Sequence, residues 1–128
     1  MNQRVVKRLH DVVVTSREVN LLVQENTLES YLGNFRTRLL MQKLLEVIGE
    51  ALAQASRLEP ALDDEIPGLK TCVDMRNRMI HGHDSVGYNA VWNAATRDVP
   101  SIATAVEALI ADEPLDSSVT LDSWFSND

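Results

Sequence analysis

The chain has 128 residues, of which 45% are hydrophobic and 24% charged, a length and composition typical of one compact domain. Its 12 Lys and Arg are outnumbered by 19 Asp and Glu, giving a formal net charge of -7. Attraction of the whole molecule to nucleic acid or to an anionic membrane is therefore disfavoured, and any nucleic-acid contact must be local. The single cysteine, Cys72, excludes an internal disulfide and a cysteine-rich zinc site. With no apolar run long enough for a membrane span and no signal peptide, we expect a soluble cytoplasmic protein.

The first predicted helix runs from about Arg4 to Val23, where apolar residues recur at steps of three and four. The run Val12 to Val14 would by itself suit a strand, because β-branched side chains are favoured there. It lies inside the longer helical period, so a helix is the favoured interpretation.

A short helix and a long helix are predicted next. Asn26 and Glu29 have the spacing of a capping box, and Gly33 is placed to end the short helix in the left-handed conformation. Asn34 can cap the long helix, which carries an apolar stripe over four turns. The stripe consists of Leu40, Leu44, Val47, Ile48, Ala51, Leu52 and Ala55. Its small residues allow a partner helix to approach closely.

The second half of the chain contains two further predicted helices. Residues 59–67 hold two prolines and three consecutive acids and are interpreted as a solvated loop. Pro67 fits the first position of the next helix, which should run to about His81 and be terminated by Gly82. The last helix has an apolar seam that crosses Pro100 in phase, so a kink is predicted there. The seam consists of Trp92, Ala95, Val99, Ile102, Val106 and Leu109.

These elements predict an all-α fold, a four- to five-helix up-and-down bundle that occupies residues 1–111. Residues 112–128 contain acids but neither Lys nor Arg. They are therefore predicted to form an acidic flexible tail, in which Trp124 and Phe125 are the aromatic residues.

The segment from Met75 to Asp84 holds the residues best suited to chemistry. On a helix Asn77 and His81 share a face, so the amide can orient the imidazole. Arg76 lies about 140° around the helix from His81, so it must reach across or act on a neighbouring chain. A permanent cation beside a base that titrates near neutrality suits a phosphodiester, because Arg can hold the non-bridging oxygens while His moves the proton.

Each of these residues also has a non-catalytic explanation. Arg and His near the C-terminus of a helix interact favourably with its dipole, and from the residues alone this explanation is favoured over catalysis. A metal site at His81, His83 and Asp84 is a weaker interpretation, because the three residues fall short of a recognised ligand spacing. Cys72, among apolar neighbours, is predicted to be a buried structural thiol rather than a nucleophile.

The segment from Arg76 to His81 matches the signature of HEPN-domain ribonucleases, which is Arg, four variable residues and His. The sequence resembles the HepT-like toxins in particular, over roughly residues 4–110. The further matches are Ile48 to Ala51 in the long helix, the loop to Pro67, Asp74 to Asn77, and Val91 with Trp92 at the start of the last helix.

The resemblance implies a five-helix or distorted four-helix bundle and a homodimer with a composite active site. It also implies metal-independent cleavage of RNA, without a cofactor, by the toxin of a toxin and antitoxin pair. Arg76 and His81 take the catalytic positions, and Asn77 is the polar residue that follows the Arg. His81 would help to remove the ribose 2′-OH proton while Arg76 stabilises the pentacoordinate phosphate, which yields a cyclic phosphate end. DNA, which lacks that hydroxyl, would be inert.

One position departs from the family pattern. Many HepT-like proteins have a Tyr two residues after the His, which a partner minimal nucleotidyltransferase can adenylylate, and here His83 stands at that position. Simple binding by a nucleotidyltransferase antitoxin remains compatible with the sequence, and His83 is a candidate supporting residue. Nothing in the sequence shows that Tyr88 substitutes for the missing Tyr.

A second function is also compatible with the sequence. A non-catalytic nucleotide- or partner-binding subunit could work beside a nucleotidyltransferase and use Arg76 only to hold phosphate. The net charge of -7 slightly favours this alternative. The presence of Arg76, Asn77 and His81 together favours the nuclease.

Overall fold

The computed structural model describes residues 1–81 and 86–113. Seven α-helices follow one another in these residues, and a π-helical turn, Ala94–Asp98, joins the last two. The helices are α1 Gln3–Gln24, α2 Leu28–Leu32, α3 Phe35–Leu58, α4 Leu62–Glu65, α5 Leu69–His81, α6 Tyr88–Asn93 and α7 Val99–Leu109. The described residues contain no strand, which confirms the predicted all-α bundle.

Helix α3 lies at the centre of the bundle. It packs against α1 on one side and against α5 on another, while α1 also contacts α7. None of the described helices combines the length and the apolar character needed to cross a membrane.

Helix α1 confirms the predicted span to within a residue at each end. It begins where the Asn2 side chain accepts a hydrogen bond from the Arg4 N–H at 2.7 Å. Its apolar face is completely buried at Val5, Leu9, Val12 and Val19. The same helix buries four polar side chains, namely His10, Asp11, Thr15 and Ser16.

Asp11 is a buried carboxyl that faces two cations of its own helix. Arg8 donates to Asp11 at 3.1 Å and Lys7 Nζ lies 3.9 Å from the same oxygen. Burial raises the pKa of Asp11 above its ordinary value of 3.8, and the neighbouring cations only partly oppose that effect.

The capping of α2 differs from the prediction. Thr27, not Asn26, is the N-cap: its hydroxyl accepts from the Ser30 N–H at 3.1 Å, and the Ser30 hydroxyl accepts from the Thr27 N–H at 2.9 Å. Asn26 instead donates to a carbonyl in the last turn of α1. The prediction of an Asn26 and Glu29 pair was wrong because a hydroxyl can serve in place of the carboxylate. Gly33 ends α2 with φ -84°, so the predicted left-handed cap is also wrong.

Helix α3 largely follows its predicted pattern. Asn34 is its N-cap, as predicted, and accepts from the Thr37 N–H at 3.1 Å. Every residue of the predicted stripe is buried except Leu40, which is 49% exposed. At this end of the helix the buried face passes through Met41 instead, one residue further around the turn.

The prediction that residues 59–67 form a solvated loop was wrong in part. This segment contains α4, whose Leu62 is buried together with the following Ile66. Helix α5 begins at Leu69, two residues after Pro67, so the prediction that Pro67 opens the helix was wrong. The reason is Gly68, whose φ of 90° interrupts the helical path with a conformation that favours glycine. The helix extends to His81, as far as the described residues allow it to be followed; the predicted terminator, Gly82, lies outside the described residues, so the end of the helix stays a prediction.

A π-helical turn precedes Pro100, the residue at which a kink was predicted. The Val99 N–H donates to the Ala94 carbonyl, one residue further than in an α-helix. Pro100 has no N–H, and in a regular helix its ring would clash with the carbonyl four residues earlier, so a widened turn accommodates it. The apolar seam keeps its phase across this point, and Ala95, Val99, Ile102 and Val106 are buried.

Candidate functional site

Helices α3 and α5 approach each other unusually closely beside Arg76. A Cβ atom added to Gly49 would lie 2.4 Å from the Arg76 Cβ and 3.0 Å from the Cys72 carbonyl oxygen. Real side chains do not approach this closely, so only glycine permits the two backbones to meet here. This contact explains a glycine in the interior of a 24-residue helix, and it places the next residue, Glu50, beside Arg76.

The guanidinium of Arg76 is held by two neighbouring side chains. Its Nη2 pairs with Glu50 Oε2, and its Nη1 donates to Asn77 Oδ1 at 2.7 Å. Gln54, one turn along α3, donates to the other oxygen of Glu50 at 2.7 Å. The Arg76 side chain is 21% exposed. The cation is therefore fixed in direction while part of it remains accessible.

Glu50 and Gln54 were not among the residues predicted from the sequence to belong to the site. Glu50 did occur in the segment Ile48 to Ala51, which contributed to the family resemblance, and Gln54 lies four residues further on the same face. The pairing of Glu50 with Arg76 depends on the register between α3 and α5. That register is a tertiary property and could not be derived from the helical periods alone.

The other predicted site residues are only partly placed by the structure. Asn77 bonds to Arg76, and its predicted role in orienting the imidazole of His81 stays a prediction. His81 is an exposed residue at the end of α5. His83 and Asp84 lie outside the described residues. The hypothesis of a metal site at His81, His83 and Asp84 therefore stays a hypothesis. Within residues 1–81 and 86–113, no three His, Cys, Asp or Glu side chains are grouped as a metal ion requires.

Two clefts open on either side of Arg76. One of them runs along α3 and is lined by Lys43, Glu46, Val47, Glu50, Arg76 and Ile80. The other lies between α3, α4 and α5, and its charged and amide lining residues are Arg57, Asp63, Lys70, Asp74, Arg76 and Asn77. Arg76 is thus reached from both sides.

Large apolar side chains are exposed close to the first cleft. Leu39 and Leu40 on α3 are 54% and 49% exposed, and Ile80 in the cleft itself is 49% exposed. Leu40 precedes Lys43 and Val47 on the same face of α3. An apolar surface therefore adjoins the first cleft, which Arg76 and Ile80 line.

Cys72 lies under the contact between α3 and α5 and is only 5% exposed. Burial raises the pKa of its thiol to about 12, with a smaller contribution from the carboxylate of Asp98. The thiol stays protonated at neutral pH, so it is a poor nucleophile. This agrees with the prediction of a buried structural thiol.

The chain beyond the motif is anchored to α2. Tyr31 is fully buried and donates from its hydroxyl to the Tyr88 carbonyl at 3.0 Å. Its ring lies 5.0 Å from the ring of Trp92, and burial raises the pKa of Tyr31 to about 12. The guanidinium of Arg38 stacks 4.6 Å above the ring of Tyr88. These contacts fix the start of α6 against α2 and α3.

An all-α bundle that anchors an arginine on α5, five residues before a histidine, has the architecture and motif of the HEPN class. The chain belongs to the ribonuclease HepT-like family, whose sequence model matches residues 15–109. This finding confirms the resemblance drawn from the sequence.

Two archaeal relatives illustrate the similarity. A protein of Methanocaldococcus jannaschii with a provisional RNase name is 27% identical over 104 residues, which cover 81% of this chain and 89% of that protein. A protein of Thermococcus cleftensis, provisionally named ribonuclease HepT, is 27% identical over 101 residues, which cover 79% of this chain and 91% of that protein. No solved structure matches the chain.

Proposed function

We propose that this protein is a metal-independent endoribonuclease and acts as the toxin of a toxin and antitoxin pair. The observation that carries the proposal is the anchored guanidinium of Arg76, five residues before His81, in a chain of the ribonuclease HepT-like family. The two archaeal relatives with provisional ribonuclease names support the same substrate class.

The proposed reaction uses the 2′-OH of the RNA as the nucleophile. His81 accepts the proton of that hydroxyl, the 2′ oxygen bonds to phosphorus, and the bond from phosphorus to the 5′ oxygen breaks. The products are a 2′,3′-cyclic phosphate and a 5′-hydroxyl, which takes its proton from an acid or from water. Arg76 stabilises the extra negative charge on the pentacoordinate phosphate.

The anchoring of Arg76 is compatible with this role. A guanidinium has five N–H donors in a fixed plane, and Glu50 and Asn77 each accept from a different nitrogen of Arg76. The remaining donors are available to a phosphate that enters from either cleft. Because Glu50 and Asn77 orient the group in advance, less conformational entropy is lost when the substrate binds.

We propose that the active site is shared between two copies of the chain. Arg76 and His81 diverge around α5, so one copy of Arg76 and the partner copy of His81 converge if two α5 helices meet across a two-fold axis. The exposed side chains of Leu39, Leu40 and Ile80 beside the cleft support this arrangement, because a second copy would cover that apolar surface. His83 is a supporting residue in the same proposal.

The partner in the proposed pair is a nucleotidyltransferase antitoxin that binds the toxin in the cytoplasm. The alternative function is a non-catalytic nucleotide- or partner-binding subunit that works beside such a nucleotidyltransferase. The net charge of -7 is the observation that favours this alternative.

The shared site is tested by mixing two inactive variants. Neither Arg76→Ala nor His81→Ala should cleave a fluorescent RNA alone, whereas co-refolded mixtures should regain about a quarter of the wild-type rate, since half of the dimers then hold one intact site of two. Light scattering should show a dimer at micromolar concentration. If each variant is inactive and the mixture is too, Arg76 and His81 act within one chain or not at all. If the wild type itself cuts no RNA, the binding subunit takes the place of the nuclease.

A further inference from the structure

A groove between the start of α1 and the end of α3 concentrates positive charge on an acidic molecule. It is lined by Arg4, Lys7, Arg8, Gln54, Arg57 and Leu58. Four of these six side chains are cationic, and none of the lining residues in the described part of the chain is a carboxylate. We call this feature the basic groove. In a chain of net charge -7, it is a local site for an anion.

The basic groove keeps a net positive charge after Asp11, the acid that pairs with two of its cations, is counted. Asp11 lies beneath Lys7 and Arg8, is only 3% exposed at its side chain, and pairs with both. One carboxylate cannot neutralise two cations, and Arg4 and Arg57 add two more charges at the rim. Arginine side chains have the planar fork of donors that fits phosphate oxygens.

The basic groove is connected to the candidate active site through α3. Gln54 lines the groove and donates to Glu50, which in turn holds Arg76. Arg57 lines both the groove and the cleft that contains Arg76 and Asn77. Glu50 and Arg57 are about 10 Å apart along the helix axis, a separation that a few nucleotides would span.

We infer that the basic groove binds backbone phosphates of the RNA strand whose scissile phosphate lies at Arg76. The inference rests on the proposed function and adds a second contact region to it. Phosphate contacts position a strand without reading its sequence. The groove therefore contributes affinity and register, while the chemistry stays at Arg76 and His81.

The test measures binding separately from cleavage. The full chain is titrated with a fluorescent single-stranded 2′-O-methyl RNA, which lacks the nucleophilic hydroxyl and cannot be cut. The groove variant is Arg4→Gln with Arg57→Gln, which spares Lys7 and Arg8 because they pair with Asp11. The matched control is Arg17→Gln with Arg97→Gln, which removes two exposed cations outside the groove.

The groove variant should raise the Kd about tenfold or more at low salt, and the slope of log Kd against log salt should fall by about 1.4, or 0.7 for each lost phosphate contact. The control should bind as the wild type does. Equal Kd values and slopes for the wild type and the groove variant would overturn the inference. Groove-dependent binding by a wild type that cuts no natural RNA would overturn the nuclease, and with it the scissile phosphate at Arg76, but would leave the binding of backbone phosphates by the groove standing.

Competition experiments, in which other anions displace the bound RNA, identify which kind of anion the basic groove binds. AMP and inorganic phosphate should displace the RNA only at millimolar concentration, because each supplies a single phosphate. Displacement at micromolar concentration would assign the groove to a small phosphate ligand and overturn the strand proposal. An acidic peptide that binds Arg4 and Arg57 more tightly than the RNA does would assign the groove to a protein partner, which also contradicts the inference.

Discussion

Glu50 orients the guanidinium of Arg76. Its carboxylate pairs with the guanidinium and is itself held by Gln54, so a chain of three side chains fixes the cation before any substrate arrives. The pair is partly exposed, with side-chain exposures of 21% and 26%, so its contribution to folding is small, of the order of 1 kcal/mol or less. The main effect of Glu50 is therefore expected in the reaction.

We expect Glu50→Ala to lower kcat for RNA cleavage by about tenfold or more, because a misplaced transition-state group slows the chemical step. KM should change much less. Glu50→Gln should recover part of the rate, since its amide oxygen can still accept from Arg76. Glu107→Ala, an exposed acid on α7, is the control and should cleave normally. A wild-type kcat in Glu50→Ala would show that Arg76 needs no anchor.

Asp11 should give the stability a measurable dependence on pH. A carboxyl whose pKa is raised by folding binds its proton more tightly in the folded state, so its contribution to stability is present at low pH and is lost as the pH rises above 3.8 through the folded value. The free energy of unfolding of the wild type minus that of Asp11→Asn should therefore decrease as the pH rises above 3.8, the ordinary pKa of the carboxyl. Urea titrations of both proteins measure this difference. If the free energies of unfolding of the two proteins changed in parallel with pH, burial would not raise the pKa of Asp11.

The contact between α3 and α5 is the structural element that assembles the site. Gly49→Ala should destabilise the protein by about 1–3 kcal/mol, because the new methyl group can be accommodated only if the helices separate. Thermal unfolding should show a lower Tm, and RNA cleavage should fall as Arg76 moves away from Glu50.

Gly33→Ala is the matched control for this substitution. The nearest atom to its new Cβ is the Glu29 carbonyl oxygen at 3.4 Å, and the backbone is right-handed there. Its stability should stay within about 0.5 kcal/mol of the wild type. If the two alanine variants had the same Tm, the close helix contact would not exist in solution.

The long helices were predictable because each has a long apolar period. The spans of α1, α3 and α5 follow from that period, and the cap at Asn34 follows from its side chain. The errors fall where a local choice among similar residues decides the outcome. Thr27 competes with Asn26 for one cap, and the conformation of Gly68 delays the start of α5 by two residues.

At the scale of the whole molecule, the sequence predicted the bundle and the motif but not the site. Type and spacing singled out Arg76, Asn77 and His81, while their roles in catalysis come from the family resemblance and stay a prediction. Glu50 and Gln54 could not be identified because their role depends on how α3 is rotated and shifted against α5. Gly49 carried the signal of a close approach, but the sequence does not say which helix approaches.

The residues after Ala111 are predicted to add little to the stability of the bundle. Deletion of Pro114 to Asp128 should leave the Tm nearly unchanged, because this segment lacks an extended apolar period and its only charged side chains are acids. A fall of more than about 8 °C, equivalent to a kcal/mol or more for a domain of this size, would show that Trp124 and Phe125 contribute to folding.

The central claim is that Arg76 and His81 cleave RNA without a metal ion, and the most direct test is a cleavage assay in EDTA. The wild type should cut RNA to cyclic phosphate ends, and Arg76→Ala and His81→Ala should each lower the rate by roughly a hundredfold or more. His83→Ala should remain active, because His83 occupies the position of the family Tyr and has no assigned part in proton transfer. A loss as large as that of His81→Ala would instead make His83 a second proton-transfer group. All variants should keep the wild-type circular dichroism spectrum. A wild type that cuts neither structured nor single-stranded RNA, from a gene that is harmless when expressed without its neighbour, would contradict the claim.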